Sequence, residues 1–266
     1  EAAIPRDPNW FAYKMSEPDA QETVAASLRD RFGIPFEPAD IAMTTGGFAA
    51  LFAAMTALLE PGDEVIYTLP PWFFYEIGVV QAGGVPVKVP LDPETFDLDL
   101  AAIEAAITPK TRIVLINTPN NPTGRIYTPE TLTRLGDMLA ASSRRHNRTI
   151  YLLSDEAYNH IVFDGATFPT PLAFYPDSLL AYSYGKTLLA PAQRIGYLAI
   201  NPANSNRDRL RNDILVAQIA NSFAFPNAIL QRALPELERL SIDVAQMQRK
   251  RDRMVGALRE IGYSVH

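Results

Sequence analysis

Short apolar runs alternate with segments of helical periodicity along most of the chain. The apolar runs predict strands at Ile41–Thr44, Glu64–Thr68, Val85–Val89, Arg112–Asn117, Ile150–Ser154, Leu179–Ala181 and Ile195–Ile200. The periodic segments predict helices at Asp19–Arg31, Phe48–Leu59, Phe74–Gln81, Leu98–Ala106 and Pro129–Arg144. Nearly continuous apolar strands between amphipathic helices are typical of a mostly parallel sheet covered on both faces. The pattern therefore predicts an α/β fold, a three-layer α/β/α sandwich around a mostly parallel mixed sheet.

The pattern changes near the C-terminus. After Pro226 it predicts one long helix, Ala228–Ile261, bent or interrupted near Pro235, whose Arg-rich second half leads out of the core. We expect an N-terminal segment, a large domain, and the long helix with the start of a smaller domain, with bounds 1–18, 19–227 and 228–266. The chain begins without methionine and ends in what reads as a strand just starting, so we expect it to be a piece of a longer protein.

Composition and charge narrow the class of protein. With 266 residues and 47% apolar side chains, the chain can bury a sizeable core. Its formal net charge of −6 leaves no broad basic face for nucleic acid, and we interpret short basic clusters at 144–148, 207–211 and 249–253 as solvated helix faces. No apolar run is long enough to span a membrane, so we predict no membrane partner. The sequence also does not start with a signal-peptide pattern. Because it also lacks cysteine, we expect a cytoplasmic protein.

Candidate binding residues follow the predicted strands, where ligands of open α/β sheets collect. The Gly46-Gly47-Phe48 turn opens a helix whose free N–H groups favour a phosphate, although a tight turn alone would explain it. Trp72 could stack on a heteroaromatic ring, with core packing as the alternative. Asn121 lies in a loop with two prolines that would fix its amide, but turn chemistry also explains that composition.

Three charged residues follow later strands: Asp155, Lys186 and Arg194. A carboxylate, a primary amine and an anion-binding guanidinium suit an aldehyde cofactor with a phosphate and a pyridine nitrogen, and we infer pyridoxal phosphate. Asp155 ends an apolar strand, where a carboxylate is costly unless paired, and a pyridinium N–H is a suitable partner. A competing metal site of Glu156 and His160 lacks a third ligand nearby, so we predict no metal.

Four motifs occur in order along the chain. They are Asn120-Asn121-Pro122-Thr123-Gly124, Asp155-Glu156-Ala157-Tyr158, Ser183-Tyr184-Gly185-Lys186 and Gln193-Arg194-Ile195-Gly196. Together they resemble the class I/II aminotransferases, the fold type I pyridoxal-phosphate enzymes. The Gly46-Gly47-Phe48 turn and Trp72 also fall where that family has its phosphate loop and ring-stacking aromatic. The resemblance runs from about Asp19 to the C-terminus and implies the large domain of that fold, with most of the small domain missing.

The resemblance implies a role for each matching residue. Lys186 is similar to the Schiff-base lysine, which also moves the substrate proton. Asp155 resembles the carboxylate that keeps the pyridine nitrogen protonated. Tyr158 and Asn121 are similar to the pair that hydrogen-bonds the ring hydroxyl oxygen.

The resemblance also implies contacts to the ring faces and the phosphate. Trp72 and Ala157 would lie on opposite faces of the ring. The phosphate would be bound by Ser183, Arg194 and the backbone amides of Gly47 and Phe48.

The chain departs from the family pattern at several positions. Gly185 stands where many relatives have a second serine, which would remove one phosphate contact. No residue can be assigned to the arginine that binds the substrate α-carboxylate, so we expect this chain alone to be inactive. Tyr13 would match a family tyrosine that reaches the phosphate of the neighbouring subunit, with plain packing as the alternative.

The activity that the resemblance implies is amino-group transfer between an amino acid and a 2-oxo acid, by a homodimer. Two alternatives stay open. One is a carbon–sulfur β-lyase of the same fold, which uses the same ring-holding residues. The other is a non-catalytic, aminotransferase-like sensor domain, fused to a DNA-binding module elsewhere. The amino-acid donor is not determined by these residues.

Overall fold

A computed structural model describes residues 12–265 of the protein. Its strands form one sheet and are β1 (Ile41–Thr44), β2 (Glu64–Leu69), β3 (Val85–Pro90), β4 (Thr111–Asn117), β5 (Tyr151–Asp155), β6 (Ser178–Ser183) and β7 (Gly196–Ile200). The order across the sheet is β1-β7-β6-β5-β4-β2-β3. Only β7 runs against its two neighbours, and the other pairs are parallel. The predicted mostly parallel mixed sheet is therefore confirmed.

Helices cover both faces of this sheet. They are α1 (Pro18–Phe32), α2 (Gly47–Leu58), α3 (Tyr75–Gln81), α4 (Leu100–Ala106), α5 (Pro129–His146), α6 (Tyr184–Thr187), α7 (Arg207–Ala220), α8 (Ala228–Leu237) and α9 (Val244–Glu260). Apolar residues of α2, α3 and α7 share one buried cluster, whereas those of α1 and α8, and of α4 and α5, form two clusters on the opposite face. The three-layer α/β/α sandwich is confirmed.

Alternating side chains in each strand connect the two faces. In β4, Ile113 and Leu115 belong to the cluster under α2, while Val114 and Ile116 point to the cluster under α4 and α5. Because both faces of β4 are buried, its central residues must be apolar on both sides, as Ile113 to Ile116 are. α2 lies in the middle of its layer and is buried nearly all round, which accounts for its lack of a polar face.

The single long helix predicted over Ala228–Ile261 is wrong. α8 continues past Pro235 and ends at Leu237, and a new helix starts after Asp243, whose side chain accepts a hydrogen bond from the Gln246 amide. Such a cap stabilises a fresh helix start, because the first N–H groups of a helix have no partner inside it. No residue of α9 is buried. Its polar second half does lead away from the core.

The basic cluster at 207–211 is not a solvated helix face. Arg207 donates to both oxygens of buried Asp40, at 2.7 and 2.8 Å, and Arg211 donates to the same carboxylate at 2.9 Å. Burial would raise the pKa of Asp40, but the Arg207 and Arg211 guanidiniums outweigh it and hold the pKa below its ordinary value. The two arginines thus fix α7 to the segment before β1.

The proposed three-part division of the chain stays a prediction. Most of its first part, residues 1–11, lies outside the described residues, as does His266. Between residues 12 and 265, no helix is both long and apolar enough to cross a membrane.

Candidate cofactor site

A cavity of about 200 Å³ opens at the edge of the sheet where β4, β5 and β6 end. Its lining residues are Gly47, Phe48, Leu51, Trp72, Asn117, Asn121, Asp155, Ala157, Tyr158, Ser183, Gly185, Lys186, Pro191 and Arg194. The cavity brings together all the predicted site residues except Gly46, which precedes Gly47 in the same turn. Strand register produces this arrangement, since Asn117 pairs with Asp155 and Ser183 pairs with Gly196. The role of each residue toward a cofactor stays a prediction.

One wall of the cavity combines a helix N-terminus with a guanidinium. Gly46 caps α2 with φ of 97°, a conformation that favours glycine. A Cβ at Gly46 would overlap Arg194 Nη2, so the missing side chain is what lets the guanidinium approach the turn. Arg194 Nη1 donates to the Pro191 carbonyl at 2.6 Å, which orients the group. Positive charge and helix N–H groups converge here, as an anion site requires.

Asp155 lies on the opposite side as the last residue of β5, one position beyond the predicted strand end. Its Oδ2 accepts a hydrogen bond from the Tyr75 hydroxyl at 2.6 Å, and its Oδ1 accepts one from the Ala157 amide at 3.2 Å. Burial raises the pKa of Asp155, while the Tyr75 hydroxyl, the Ala157 amide and the Lys186 charge oppose that rise. The carboxylate is held in a fixed direction by two donors.

Lys186 stands on α6, the single helical turn that follows β6. Its Nζ lies 5.3 Å from the centroid of the Tyr158 ring, and both side chains line the cavity. Lys186 is exposed, so its amine can be reached through the cavity mouth. An accessible primary amine in the same small cavity as a buried carboxylate is suited to capturing a carbonyl compound.

Trp72 packs against other aromatic rings and also lines the cavity. Its ring packs edge-on against Phe48, Phe74 and Tyr75, with centroid separations of 5.8, 5.0 and 5.6 Å. It is half-buried and also lines the cavity. Packing against these rings therefore fixes an aromatic surface at the site.

Asn117 contributes to the site although no role was predicted for it. Its Nδ2 donates to the Asp155 carbonyl at 2.9 Å, and its Oδ1 accepts from the Asn121 amide at 2.6 Å. One amide thus fastens the Asn121 loop to the strand that carries Asp155. The available signal was a polar residue at the end of an apolar strand.

Glu156 and His160 do not converge on a common point. Buried Glu156 accepts hydrogen bonds from Ser154, Asn159 and Thr170, and burial raises its pKa to about 7. His160 contacts Arg31, and burial lowers its pKa to about 4. Within residues 12–265, no group of three potential metal ligands is found.

Gly185 and Tyr13 are two of the positions considered as departures from the family pattern, and the structure describes the surroundings of both. A Cβ at Gly185 would lie 3.0 Å from Pro191 Cα, so glycine allows the 188–194 loop to pack against α6. Tyr13 is largely exposed, and its ring centroid lies 4.9 Å from that of Phe225, outside the cavity. Its role toward a neighbouring subunit stays a prediction.

The mostly parallel seven-stranded sheet, with helices on both faces, is that of fold type I aminotransferases. Within that class, the chain belongs to the family described as aminotransferase class I and II, whose model matches residues 7–266. The names of the relatives below give no support to the lyase or sensor alternatives.

Curated relatives include aspartate/prephenate aminotransferases. The probable enzyme of Thermus aquaticus is 38% identical over 73% of this chain and 50% of its own length. The Thermus thermophilus enzyme is 33% identical over 98% of this chain and 66% of its own length. The chain thus spans about half to two thirds of these two relatives.

Solved structures agree with this assignment. An aminotransferase from Eubacterium rectale superposes with a TM-score of 0.94 at 30% identity, over 98% of this chain and 67% of that one. The N-succinyldiaminopimelate aminotransferase of Mycobacterium tuberculosis gives a TM-score of 0.85 at 29% identity, over 97% of this chain and 67% of that one.

Proposed function

We propose that the protein is a pyridoxal-phosphate-dependent aminotransferase that moves an amino group between an amino acid and a 2-oxo acid. The observation that carries the proposal is the convergence of Lys186, Asp155 and Arg194 on one small cavity, beside the N-terminus of α2. The names of the relatives support the reaction class. Because those relatives are longer than this chain, the activity and substrates of the whole protein belong to the proposal.

The polar residues that line the cavity fit the cofactor at each of its polar groups. The phosphate would be bound by Arg194, by the Ser183 hydroxyl and by the amides of Gly47 and Phe48. The turn that would hold the phosphate is the one where a Cβ at Gly46 would collide with Arg194. When bound, the cofactor supplies an aldehyde carbon and an electron-accepting pyridine ring.

The remaining ring contacts complete the fit. Asp155, when ionised, would hold a proton on the pyridine nitrogen, and Tyr158 and Asn121 would bind the ring hydroxyl oxygen. Trp72 and Ala157 would hold the ring faces and exclude water from them. Each of these side chains lines the cavity.

Lys186 carries out the proton transfer in this proposal. Its neutral amine would accept the proton from the amino-acid Cα and then return it, as a general base and acid. Lys186 and Asp155 line the same cavity, so the base and the acid that would stabilise the ring could act on one bound cofactor.

The proposal includes a homodimer. Large apolar side chains are exposed beside the site at Phe73, Ile77, Val80, Val216, Ile219 and Phe225. They belong to α3, α7 and the adjoining segments, and the two helices are linked by a hydrogen bond between Gln81 and Asn221. An exposed apolar face of this kind suits a subunit interface. Sedimentation should give a dimer that Val216→Asp dissociates, whereas exposed Leu240→Asp leaves it intact.

The cytoplasmic location stays part of the proposal. The lack of cysteine in the sequence suits a reducing compartment such as the cytoplasm. Cell fractionation of the native host tests it.

Covalent trapping tests the cofactor assignment. The protein should turn yellow with pyridoxal phosphate, and borohydride should then fix the cofactor on Lys186, as peptide mass mapping would report. Lys186→Ala should abolish the trapping, whereas Lys110→Ala, at an exposed lysine outside the cavity, should leave it intact. Attachment elsewhere would refute the assignment.

Amino-group transfer is then tested by half-reactions of the full-length protein, because this chain alone is expected to be inactive. Spectral changes with a panel of amino acids identify the donor. Release of pyruvate from cystathionine without an oxo-acid acceptor would instead support the lyase.

A further inference from the structure

Tyr75 is the first residue of α3 and is buried. Its hydroxyl donates to Asp155 Oδ2 at 2.6 Å, across 80 residues of sequence, and both partners are shielded from solvent. Tyr75 is not among the residues that line the cavity, so it reaches the site only through the residues that it contacts. Its amide donates to the Trp72 carbonyl at 3.1 Å, so one residue connects two sides of the candidate site.

The protonation states of the two groups determine which of them donates this hydrogen bond. Burial, together with the Asp155 charge, holds the pKa of Tyr75 well above its ordinary value, so the phenol keeps its proton and donates it. A buried carboxylate requires such donors, because its charged form has lost its hydration. The Ala157 amide serves Oδ1 and the Tyr75 hydroxyl serves Oδ2.

We propose that Tyr75 is a positioning residue of the cofactor site, which keeps the Asp155 carboxylate ionised and aimed into the cavity. This inference rests on the proposed function, since it concerns the acid that would face the pyridine nitrogen. Removing the hydroxyl would leave Asp155 with only one of its two observed donors. The carboxylate would then protonate more readily and would bind a pyridinium cation less well.

Tyr67 offers a matched control. It is as buried as Tyr75, and the centroids of the two rings are 6.1 Å apart. Its hydroxyl makes no hydrogen bond to Asp155 within the part of the chain that is described. Tyr67→Phe therefore removes the same atom from the same aromatic cluster without touching the acid.

Cofactor affinity gives the first test. Tyr75→Phe should weaken binding of pyridoxal phosphate about 10- to 100-fold, the range for a hydrogen bond to a charged group, while Tyr67→Phe should leave it within about twofold. In an Asp155→Ala background, Tyr75→Phe should have no further effect, because the two residues act as a pair. An equal loss in both backgrounds would mean that Tyr75 contributes only by packing, and would overturn the inference.

A second readout needs no cofactor. In the apoprotein, carboxyl-carbon NMR should report an Asp155 midpoint that rises by about one pH unit or more in Tyr75→Phe. The other titratable groups that face this pair are Lys186, Tyr127 and Tyr158, and the variant retains all three. An unchanged midpoint would overturn the inference even if the cofactor binds. A shifted midpoint in a protein that fails to bind the cofactor would instead refute the proposed function alone.

Discussion

The buried carboxyl group of Glu156 should make the stability of the protein fall as pH rises. Its pKa is about 7 in the folded protein, against an ordinary value of 4.5. Because the folded state binds this proton more tightly than the unfolded state, the contribution is complete below pH 4.5 and is lost as pH rises to about 7. A difference of this size corresponds to about 3 kcal/mol of unfolding free energy.

Glu156→Gln tests this linkage, since glutamine keeps the shape of the neutral form. The buried Asn159 Oδ1 has no hydrogen-bond partner in the described residues, so a rotated Asn159 amide can accept from the new NH2 group. Urea unfolding between pH 4.5 and 8.5 should show the variant gaining about 3 kcal/mol relative to the native protein as pH rises. His160, with its pKa lowered to about 4, works in the opposite sense, but its effect cancels in the difference.

Exposed Glu104→Gln is the matched control and should give a stability curve parallel to that of the native protein. Parallel curves for Glu156→Gln as well would refute the argument, because they would mean that Glu156 titrates alike in the folded and unfolded states.

Three further predictions concern the site and the fold. Gly46→Ala should displace Arg194 and weaken cofactor affinity at least about tenfold, as fluorescence titration would show, and Gly165→Ala, with open space around its Cβ, should have no such effect. Asp155→Ala should retain some cofactor but slow proton abstraction by several orders of magnitude, measured by exchange of the substrate Cα hydrogen; near-normal exchange would remove its role. Asp40→Ala should lower the unfolding free energy by about 3 kcal/mol or more, because Arg207 and Arg211 lose their buried partner, and a loss below 1 kcal/mol would contradict that account.

Local pattern predicts the sheet because the strands are buried on both faces and therefore read as apolar runs. The same pattern misjudges the C-terminal helices, since Pro235 fits within α8 and the interruption comes later, where Asp243 caps α9. The arginines of α7 read in the sequence as a solvated helix face, although Arg207 and Arg211 bind a buried carboxylate. Only tertiary structure reveals that Asp40, far away in sequence, is their partner.

Motif order predicted most of the cavity lining, but not the contacts that hold it. Tyr75 and Asn117 act through residues on other elements, 80 and 38 positions away. Such contacts depend on which helix covers which strand and in what register, and neither is encoded in a local window of sequence. A resemblance in motifs identifies the residues that would contact a cofactor. It does not identify residues such as Tyr75, which contact the site residues but would not contact the cofactor itself.

Strand alternation explains why the adjacent acids Asp155 and Glu156 have different environments. Tyr151 and Leu153 of β5 face the layer of α2 and α3, so Asp155, two positions on, meets Tyr75 and the cavity. Glu156 turns instead toward Ser154 and the 159–170 loop on the other side of the sheet. A slip of one residue in β5 would turn Glu156 toward the site and Asp155 toward the other face of the sheet. The register of β5 therefore determines which acid can serve a cationic ring.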